Sequence, residues 1–237
     1  MLLVGGLGTR LRAVVPSAPK PLAPLGDMPF LELLVLQLRS QGIRHLVMCT
    51  GHRAEQIEEA CGDGRKWGIV IEYSRESHPQ GTGGALKCAE PLLRHSPEFV
   101  VMNGDSFLEF DFVQLLNFHR SHGGQVSMAV RSVPDASRYG TVQLDAKKRV
   151  IGFCEKNNSK APGIINGGIY LFKQAVLQYF PDGPASLEKD IFPRLLEHGV
   201  YGAEQRGMFI DIGTPDDYAR AQALRESLCQ AASSANR

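Results

Sequence analysis

Gly5-Gly6-Leu7-Gly8-Thr9-Arg10-Leu11-Arg12 is a glycine-rich stretch that directly follows the short apolar run Leu2-Leu3-Val4. The apolar run is typical of the end of a strand, and the glycines after it allow the backbone to turn sharply and approach a ligand closely. Such a loop offers main-chain N–H groups to an anion. The arginines of the loop and Lys20, which stands between two prolines, add fixed positive charge. We therefore predict a strand that leads into a polyphosphate-binding loop.

The loop fits neither of the two common nucleotide-binding fingerprints. It lacks the G-K-[ST] ending of a P-loop, and Leu11 stands where the dinucleotide pattern G-x-G-x-x-G requires its third glycine. A short glycine cluster alone is about as often a plain tight turn as a ligand site. The neighbouring basic residues favour a phosphate ligand, while the missing fingerprints argue against an ATPase or a dehydrogenase.

Composition limits the classes of protein and partner. A chain of 237 residues with 43% hydrophobic content is long enough for one large α/β domain, and its net charge of +1 gives no reason to expect a nucleic-acid partner. The five cysteines are scattered and form no C-x-x-C pair, which favours a reducing cytoplasm over a disulfide framework or zinc site. The sequence has no membrane-spanning run and no signal peptide, so we expect a cytoplasmic protein without a membrane partner.

Strand-like and helical patterns alternate along the first 130 residues. Helices are predicted at 30–42, 53–60, 85–93 and 112–122, and strands at 45–50, 69–73, 98–103 and 125–130. Three further strand-like pieces at 140–144, 150–155 and 166–172 predict antiparallel additions to the sheet. A kinked helix is expected at 186–198, a strand at 208–212 and a helix from Thr214 to about Cys229. The fold class is therefore α/β, with a single Rossmann-like domain built on a doubly wound mixed sheet.

Two further features stand where predicted strands end, and open α/β sheets bind ligands at the carboxyl ends of their strands. They are a second glycine-rich loop, Gln80 to Gly84, and Asp105. An aspartate after a strand is more often a cap or turn residue than a metal ligand. Asp211 lies between two isoleucines, and a buried carboxylate there requires a partner such as a divalent cation. Lys156 alone is best interpreted as a surface charge.

Six motifs, in this order, resemble those of the sugar-1-phosphate nucleotidylyltransferases. They are GG-x-G-T-R-L with P-K-P-L, Gln80-Gly81-Thr82-Gly83-Gly84, Asn103-Gly104-Asp105, Glu155-Lys156, Asn166-Gly167-Gly168 and Asp211-Ile212-Gly213-Thr214-Pro215. The resemblance runs from Leu2 to about Leu224. Within the family, the motifs are most similar to those of the D-glycero-D-manno-heptose 1-phosphate guanylyltransferases, followed by the N-acetylmuramate 1-phosphate uridylyltransferases.

The resemblance implies a fold, a reaction and a division of the chain. The fold would be that of the nucleotide-diphospho-sugar transferases over residues 1–229, followed by a tail at 230–237. A nucleotide-binding half would cover about 1–130 and a sugar-binding half about 131–229. The reaction would transfer a nucleotidyl group from a nucleoside triphosphate to a sugar 1-phosphate and release pyrophosphate, with GTP and D-glycero-α-D-manno-heptose 1-phosphate as the expected substrates for surface polysaccharide synthesis.

Residue roles follow from the positions that match the family's motifs. The residues implied in catalysis are Arg10, Lys20 and Asp105. The residues implied in nucleotide binding are Gly5, Gly6, Gly8, Thr9, Gln80, Gly84 and Asp105. The residues implied in sugar-phosphate binding are Gly140, Glu155, Lys156 and Asn166. The ligands implied for a Mg²⁺ cofactor are Asp105 and Asp211.

Several alternatives stay open at the level of sequence. The base is guanine or uracil, since backbone groups and one amide side chain can recognise either, and the sugar is not fixed. A different class of function is a non-catalytic regulatory subunit that binds NDP-sugars. The oligomeric state is likewise open between a monomer and a homodimer.

Overall fold

The protein is described here from a computed structural model, in which residues 1–11, 13–154 and 160–234 are described. The strands of this part are β1 (Leu2–Leu3), β2 (Pro24–Leu25), β3 (Met28–Pro29), β4 (His45–Thr50), β5 (Val70–Arg75), β6 (Glu98–Asn103), β7 (Ser106–Leu108), β8 (Val126–Val133), β9 (Thr141–Leu144), β10 (Val150–Cys154), β11 (Gly163–Lys173), β12 (Val200–Glu204) and β13 (Phe209–Asp211). The α-helices are α1 (Phe30–Ser40), α2 (Ala54–Cys61), α3 (Gly81–Cys88), α4 (Phe112–His122), α5 (Phe192–Leu195), α6 (Pro215–Ala223) and α7 (Arg225–Ser233). None of the helices in the described residues is both long and apolar enough to cross a membrane.

The chain folds as two compact units, and one of the points at which it passes from one unit to the other falls within β6. The first unit contains Met1–Gln80, Met102–Glu109 and the residues from Met208 onward. The second contains Gly81–Val101 and Phe110–Gly207. The domain bounds expected from the sequence remain a prediction.

Parallel strands form the frame of the first unit. β1 pairs with β4 on one side and with the end of β6 on the other, with Leu2 opposite Met48 and Met102. β5 extends this parallel order beyond β4. Because parallel strands run in one direction, the residues that follow β1, β4, β5 and β6 meet at one edge of the sheet.

Helices α1 and α7 cover apolar surface in the same unit. α1 is apolar nearly all round and buries Phe30, Leu33 and Leu34 completely, as expected for a helix enclosed between other elements. α7 packs against α1 through its buried Leu228 and Ala232. This packing explains why α7 continues to Ser233, four residues past the helix end that we predicted at Cys229.

A short antiparallel pair, β7 with β13, completes the first unit. Asp211 lies opposite Ser106 in its register, and Phe107 and Ile210 are buried. The amide of Gln37, itself buried in α1, donates from Nε2 to the carbonyl of Leu108 at 2.7 Å. The pairing brings the end of β13 next to the residue that precedes β7, which is Asp105.

The second unit contains the antiparallel strands. β11 pairs in antiparallel fashion with β8 and β9, β9 pairs with β10 in the same way, and β12 lies parallel to β8. Its core is aromatic: the ring centroids of Tyr170 and Phe192 are 4.9 Å apart, and those of Phe172 and Phe192 are 6.2 Å apart. The predicted α/β class with a mixed sheet is therefore confirmed, since parallel and antiparallel pairs both occur.

One sequence prediction of local structure was wrong. Gly81 to Gly84 form the first turn of α3, not a loop, because the small residues let the N–H groups of Gly83 and Gly84 reach the carbonyl of Ala185 at 2.8 and 3.2 Å. The strand predicted at 166–172 is confirmed within β11, whose register with β8 shifts between Asn166 and Tyr170.

The helix predicted at 186–198 is interrupted as expected. A π-helical turn at Leu187–Ile191 precedes α5, which contains Pro193 in its first turn. Proline lacks the N–H that an α-helical bond to residue 189 requires, and the wider turn before it accommodates that loss.

Candidate active site

The glycine-rich loop after β1 presents a row of unused main-chain donors. Within the described residues, the N–H groups from Gly5 through Arg10 have no hydrogen-bond acceptor. The loop is nevertheless anchored at its start, where the Val4 N–H donates to the Cys49 carbonyl at 3.0 Å and Gly5 accepts from the His52 N–H at 3.3 Å. An anchored loop with free N–H groups is suited to bind an anion.

Two glycines of this loop lie too close to neighbouring atoms for a side chain to fit without a shift. Gly8 has a positive φ of 59°, and a Cβ there would lie 2.9 Å from Cβ of Lys20. A Cβ at Gly5 would lie 3.1 Å from the main-chain nitrogen of Gly51, the residue that follows β4. The first contact places the loop directly beside Lys20, and the second places it against the end of β4.

Lys20 forms an ion pair with Asp105. Its Nζ lies 2.7 Å from Asp105 Oδ2, and only 9% of its side chain is exposed, compared with 39% for Asp105. The extended Pro19 and a short 3₁₀ helix at Lys20–Leu22 fix the backbone that carries the lysine. The aspartate therefore keeps an accessible carboxylate edge while it neutralises a nearly buried ammonium group.

Asp211 stands next to this pair. The Ile212 N–H donates to the Asp105 carbonyl at 3.0 Å, and the Gly213 N–H donates to the Asp211 carboxylate. Burial and the neighbouring Asp105 carboxylate raise the pKa of the Asp211 carboxyl above its ordinary value, while Lys20 opposes that shift. A Cβ at Gly213 would lie 3.3 Å from the Lys20 Nζ, so glycine keeps the space around the ammonium group open.

The residues present fit a divalent cation. One ammonium group faces two carboxylates, which leaves an excess of negative charge that a divalent cation would offset. No group of three His, Cys, Asp or Glu side chains in the described residues could hold a metal ion. Two carboxylates, with further oxygens from phosphates and water, are the donor set that Mg²⁺ takes in nucleotide-dependent enzymes.

The other predicted residues lie elsewhere. Arg10 and Thr9 are exposed on the loop, and Gln80 is buried at the end of the segment that follows β5. In the second unit, Gly140 is exposed just before β9. The amide of Asn166 donates to the Tyr170 hydroxyl at 2.7 Å and accepts from the Gly168 N–H at 2.9 Å.

Some of the predicted roles go beyond these contacts. The N–H of Gly84 is bonded to Ala185, and its assignment to the base remains a prediction, as does the assignment of Gly140 and Asn166 to the sugar. Arg12, Glu155 and Lys156 lie outside the described residues.

Sequence reasoning did not single out Glu76, although it belongs to the same edge of the sheet. Glu76 directly follows β5 and accepts a hydrogen bond from the Gln80 N–H at 2.9 Å. The signal available in the sequence was an acidic residue at the carboxyl end of a predicted strand, four positions before a candidate ligand-binding glutamine.

Comparison with known proteins identifies the family. The nucleotidyl transferase family model matches residues 1–227. The D-glycero-alpha-D-manno-heptose 1-phosphate guanylyltransferase of Aneurinibacillus thermoaerophilus is 39% identical over 226 residues, covering 94% of this chain and 96% of that protein. The mannose-1-phosphate guanylyltransferase of Mycobacterium tuberculosis is 38% identical over 227 residues, and the chain spans 63% of its length.

A solved structure agrees with these sequence matches. HddC from Yersinia pseudotuberculosis, crystallised in complex with GMP-PN, superposes with a TM-score of 0.84 at 30% identity and covers 94% of this chain and 96% of that one. The resemblance inferred from the motifs is thus confirmed over nearly the whole sequence, and the chain belongs to the nucleotidyl transferase family.

Proposed function

We propose that this protein transfers a guanylyl group from GTP to a sugar 1-phosphate, preferably D-glycero-α-D-manno-heptose 1-phosphate, and releases pyrophosphate. The observation that carries this proposal is the row of free N–H groups from Gly5 to Arg10, which lies beside Lys20 and its carboxylate partners. N–H groups, an ammonium group and a pair of carboxylates for a cation are what a triphosphate requires.

The proposed reaction is an in-line displacement at the α-phosphorus of GTP. A phosphate oxygen of the sugar 1-phosphate forms the new P–O bond, and the bond from the α-phosphorus to the bridging oxygen of the β-phosphate breaks. That oxygen leaves with the pyrophosphate. The attacking monoester is mostly dianionic at neutral pH because its second pKa is about 6, so no general base is needed. The protein's task is to bring two anions together and stabilise the charge that develops on the leaving group.

The roles implied by the family motifs fit this task. The N–H groups of the Gly5–Thr9 loop would bind the β- and γ-phosphates, with Arg10 on the leaving pyrophosphate and Lys20 near the α-phosphate. Gln80 and Gly84 are proposed to contact the base. Gly140, Glu155, Lys156 and Asn166 are proposed for the sugar phosphate, with Lys156 neutralising the attacking group.

Members of this family generally use a divalent metal, and we propose Mg²⁺ here. Asp105 and Asp211 would hold it. When bound, the metal would polarise the phosphate oxygens and offset negative charge in the transition state. Lys20 holds the Asp105 carboxylate in place and brings a second positive charge to the same phosphates.

Guanine is supported by the relatives. The named relatives at 36–39% identity are guanylyltransferases, and the complex of HddC contains GMP-PN. Mannose 1-phosphate is a second candidate acceptor, because relatives of 36–38% identity are named for it. The two sugars share the manno configuration and differ by one carbon beyond C6.

A substrate panel tests the proposal. Each nucleoside triphosphate is offered with heptose, mannose and N-acetylmuramate 1-phosphates and Mg²⁺, and pyrophosphate release is measured. We expect release with GTP and the heptose phosphate, and weaker release with mannose 1-phosphate. Release with UTP only would overturn the guanylyl assignment. GTP binding without release from any pair would favour the regulatory subunit. A cytoplasmic location and a homodimer remain predictions that this assay does not address.

A further inference from the structure

Glu76 is a carboxylate with unused hydrogen-bonding capacity at the edge of the sheet where β5 ends. Its own N–H donates to the Thr50 carbonyl at 2.9 Å, which ties it to the end of β4. Its Oε2 accepts the Gln80 N–H at 2.9 Å and lies 3.5 Å from the position that a Cβ of Gly51 would occupy. The carboxylate is thus held at a fixed place between Gly51 and Gln80.

The charge of Glu76 has no strong partner in the described part of the protein. The side chain is half-buried, and no lysine or arginine of the described residues pairs with it; the exposed His78 lowers its pKa, but by less than burial raises it. Burial raises the pKa of the Glu76 carboxyl above its ordinary value. Its second oxygen, Oε1, has no hydrogen-bond partner among the described residues. A half-buried acceptor of this kind is suited to a ligand that brings its own N–H groups.

Gln80 beside it has the same property. Its side chain is only 7% exposed, yet its amide group has no hydrogen-bond partner among the described residues. The Glu76 carboxylate, which can only accept hydrogen bonds, thus lies against the main chain of a residue whose side-chain amide is unpaired among the described residues.

The strand order indicates which part of a nucleotide would reach them. The phosphate-binding groups of the proposed function lie where β1 and β6 end, around Gly8, Lys20 and Asp105. β4 and β5 follow β1 in the sheet, so the end of β5 lies two strand spacings, roughly 10 Å, from the end of β1. A nucleotide whose phosphates occupy the first position can extend its base along this edge to the second.

We propose that Glu76 determines the base specificity of this protein by accepting hydrogen bonds from N1–H and N2–H of guanine; this inference rests on the proposed function. Guanine presents two donors on adjacent atoms with the O6 acceptor beside them. A carboxylate matches the two donors, and the amide of Gln80 can donate to O6. Uracil presents carbonyl oxygens on both sides of its single N–H, so the same carboxylate would repel it. The acceptor therefore selects GTP over UTP.

Inosine triphosphate gives a direct test because hypoxanthine differs from guanine only in lacking the N2 amino group. Dissociation constants of GTP and ITP are measured by calorimetry with Mg²⁺, for the wild type and for Glu76→Gln. We expect the dissociation constant of the wild type for GTP to be at least about tenfold lower than that for ITP, which is the effect of one hydrogen bond to a charged group. In Glu76→Gln the two constants should come within about threefold of each other, mainly through weaker GTP binding.

Glu59→Gln is the matched control, since Glu59 is an exposed glutamate of α2 in the same unit and its change removes the same charge. The Glu59→Gln variant should prefer GTP over ITP by the same factor as the wild type. Thermal unfolding shows whether each variant folds. If Glu76→Gln does not fold, Glu76→Asp is used instead. This variant keeps the charge but shortens the side chain, and it should still bind GTP with a smaller preference over ITP than the wild type does.

The outcomes separate the two proposals. If the Glu76 variants bind GTP and ITP more weakly by the same factor, the preference for GTP is unchanged. Glu76 would then only anchor the Gln80 segment, and the inference would be overturned. A wild type that binds the two equally would also overturn it, while guanylyl transfer would still stand. A protein that transfers only uridylyl groups, or binds no nucleotide, would overturn the proposed function and the inference with it.

Discussion

At the scale of single residues, the proposed chemistry depends on how two carboxylates share one lysine. Lys20 is nearly buried and paired with Asp105, and Asp211 is close enough for its pKa to respond to the Asp105 charge. A buried ammonium group is costly unless it is paired. The pairing leaves one carboxylate in excess, and this excess is why we propose that the cluster binds a divalent cation in addition to forming an ion pair.

We predict that Asp105→Asn lowers kcat/KM for guanylyl transfer by two to four orders of magnitude, roughly 3–5 kcal/mol of transition-state stabilisation. The amide would lose a metal ligand and the ion pair with Lys20, but it keeps the shape of the side chain, so the protein should still fold. Initial rates at varied GTP and Mg²⁺ measure the loss. Asp63→Asn, an exposed aspartate of the same unit, is the control. Near-wild-type turnover in Asp105→Asn would remove this residue from the site.

The sequence predicted these residues separately but not their distances. Asp105 follows a strand and Asp211 ends one. A strand end can be predicted from the apolar residues next to it in the sequence, so both aspartates were identified. Their proximity depends on the pairing of β7 with β13, which joins segments far apart in the chain. Glu76 was not predicted for a similar reason. Its hydrogen bond to Gln80, and its lack of a lysine or arginine partner among the described residues, are properties of the folded structure.

At the scale of elements, helix caps connect local sequence to the site. Thr214, three residues after Asp211, caps α6: its hydroxyl donates to Asp217 Oδ2 at 2.8 Å and accepts from the Asp217 N–H at 3.3 Å. Asp111 starts α4 in the same way, accepting from the Gln114 N–H at 2.9 Å. The sequence predicted that helices begin at 112 and near Thr214, because capping is a short-range interaction with a clear residue preference.

We predict that Thr214→Ala and Asp111→Ala each lower the free energy of unfolding by about 1 kcal/mol. Only Thr214→Ala should also reduce kcat/KM, by about tenfold, because the start of α6 fixes the turn that carries Asp211. Chemical denaturation and steady-state rates, measured on both variants, check the two effects. Equal activity in the two variants would show that this cap has no influence on the site.

The segment that was mispredicted depends on contacts beyond its own sequence. Gly81 to Gly84 have poor helix propensity, yet they form the start of α3 because they pack closely against the backbone of Ala185. The strand that contains Asn166 was predicted, but its irregular register was not, because that register occurs where Asn166 bonds to Tyr170 and Gly168 in the folded protein.

At the scale of the whole molecule, stability should depend on pH through a buried histidine. His119 of α4 is fully buried; its Nδ1 lies 2.9 Å from the Ser127 hydroxyl, and Nε2 has no partner among the described residues. Burial lowers the pKa of His119 to about 4, from an ordinary value of 6.5. Because the unfolded state binds the proton more readily, this residue's contribution is intact above pH 6.5 and is lost as the pH falls toward 4.

We predict that, between pH 7.5 and pH 5, the wild type loses about 2 kcal/mol more free energy of unfolding than His119→Gln does. Urea denaturation at the two pH values, with both proteins, gives the difference directly, and the carboxylates that titrate in both proteins cancel. Parallel pH dependence in the two proteins would mean that His119 is not the group responsible.

The class of the whole molecule was predictable because six motifs occur in a fixed order, and each is a local signal. The relatives add a point that the motifs did not suggest, since mannose-1-phosphate guanylyltransferases match as closely as the heptose enzymes. Discrimination between the two sugars depends on pocket shape around one extra carbon, and no short pattern encodes that shape.

The proposed function depends on transfer of the α-phosphorus of GTP to a sugar 1-phosphate. The most direct measurement supplies GTP labelled at the α-phosphorus together with D-glycero-α-D-manno-heptose 1-phosphate and Mg²⁺, and follows the label chromatographically. We predict that the label appears in GDP-heptose in a one-to-one ratio with released pyrophosphate, and only when the sugar phosphate is present. Label that remains in GTP, or that appears as free GMP whether or not the sugar phosphate is added, would contradict the account.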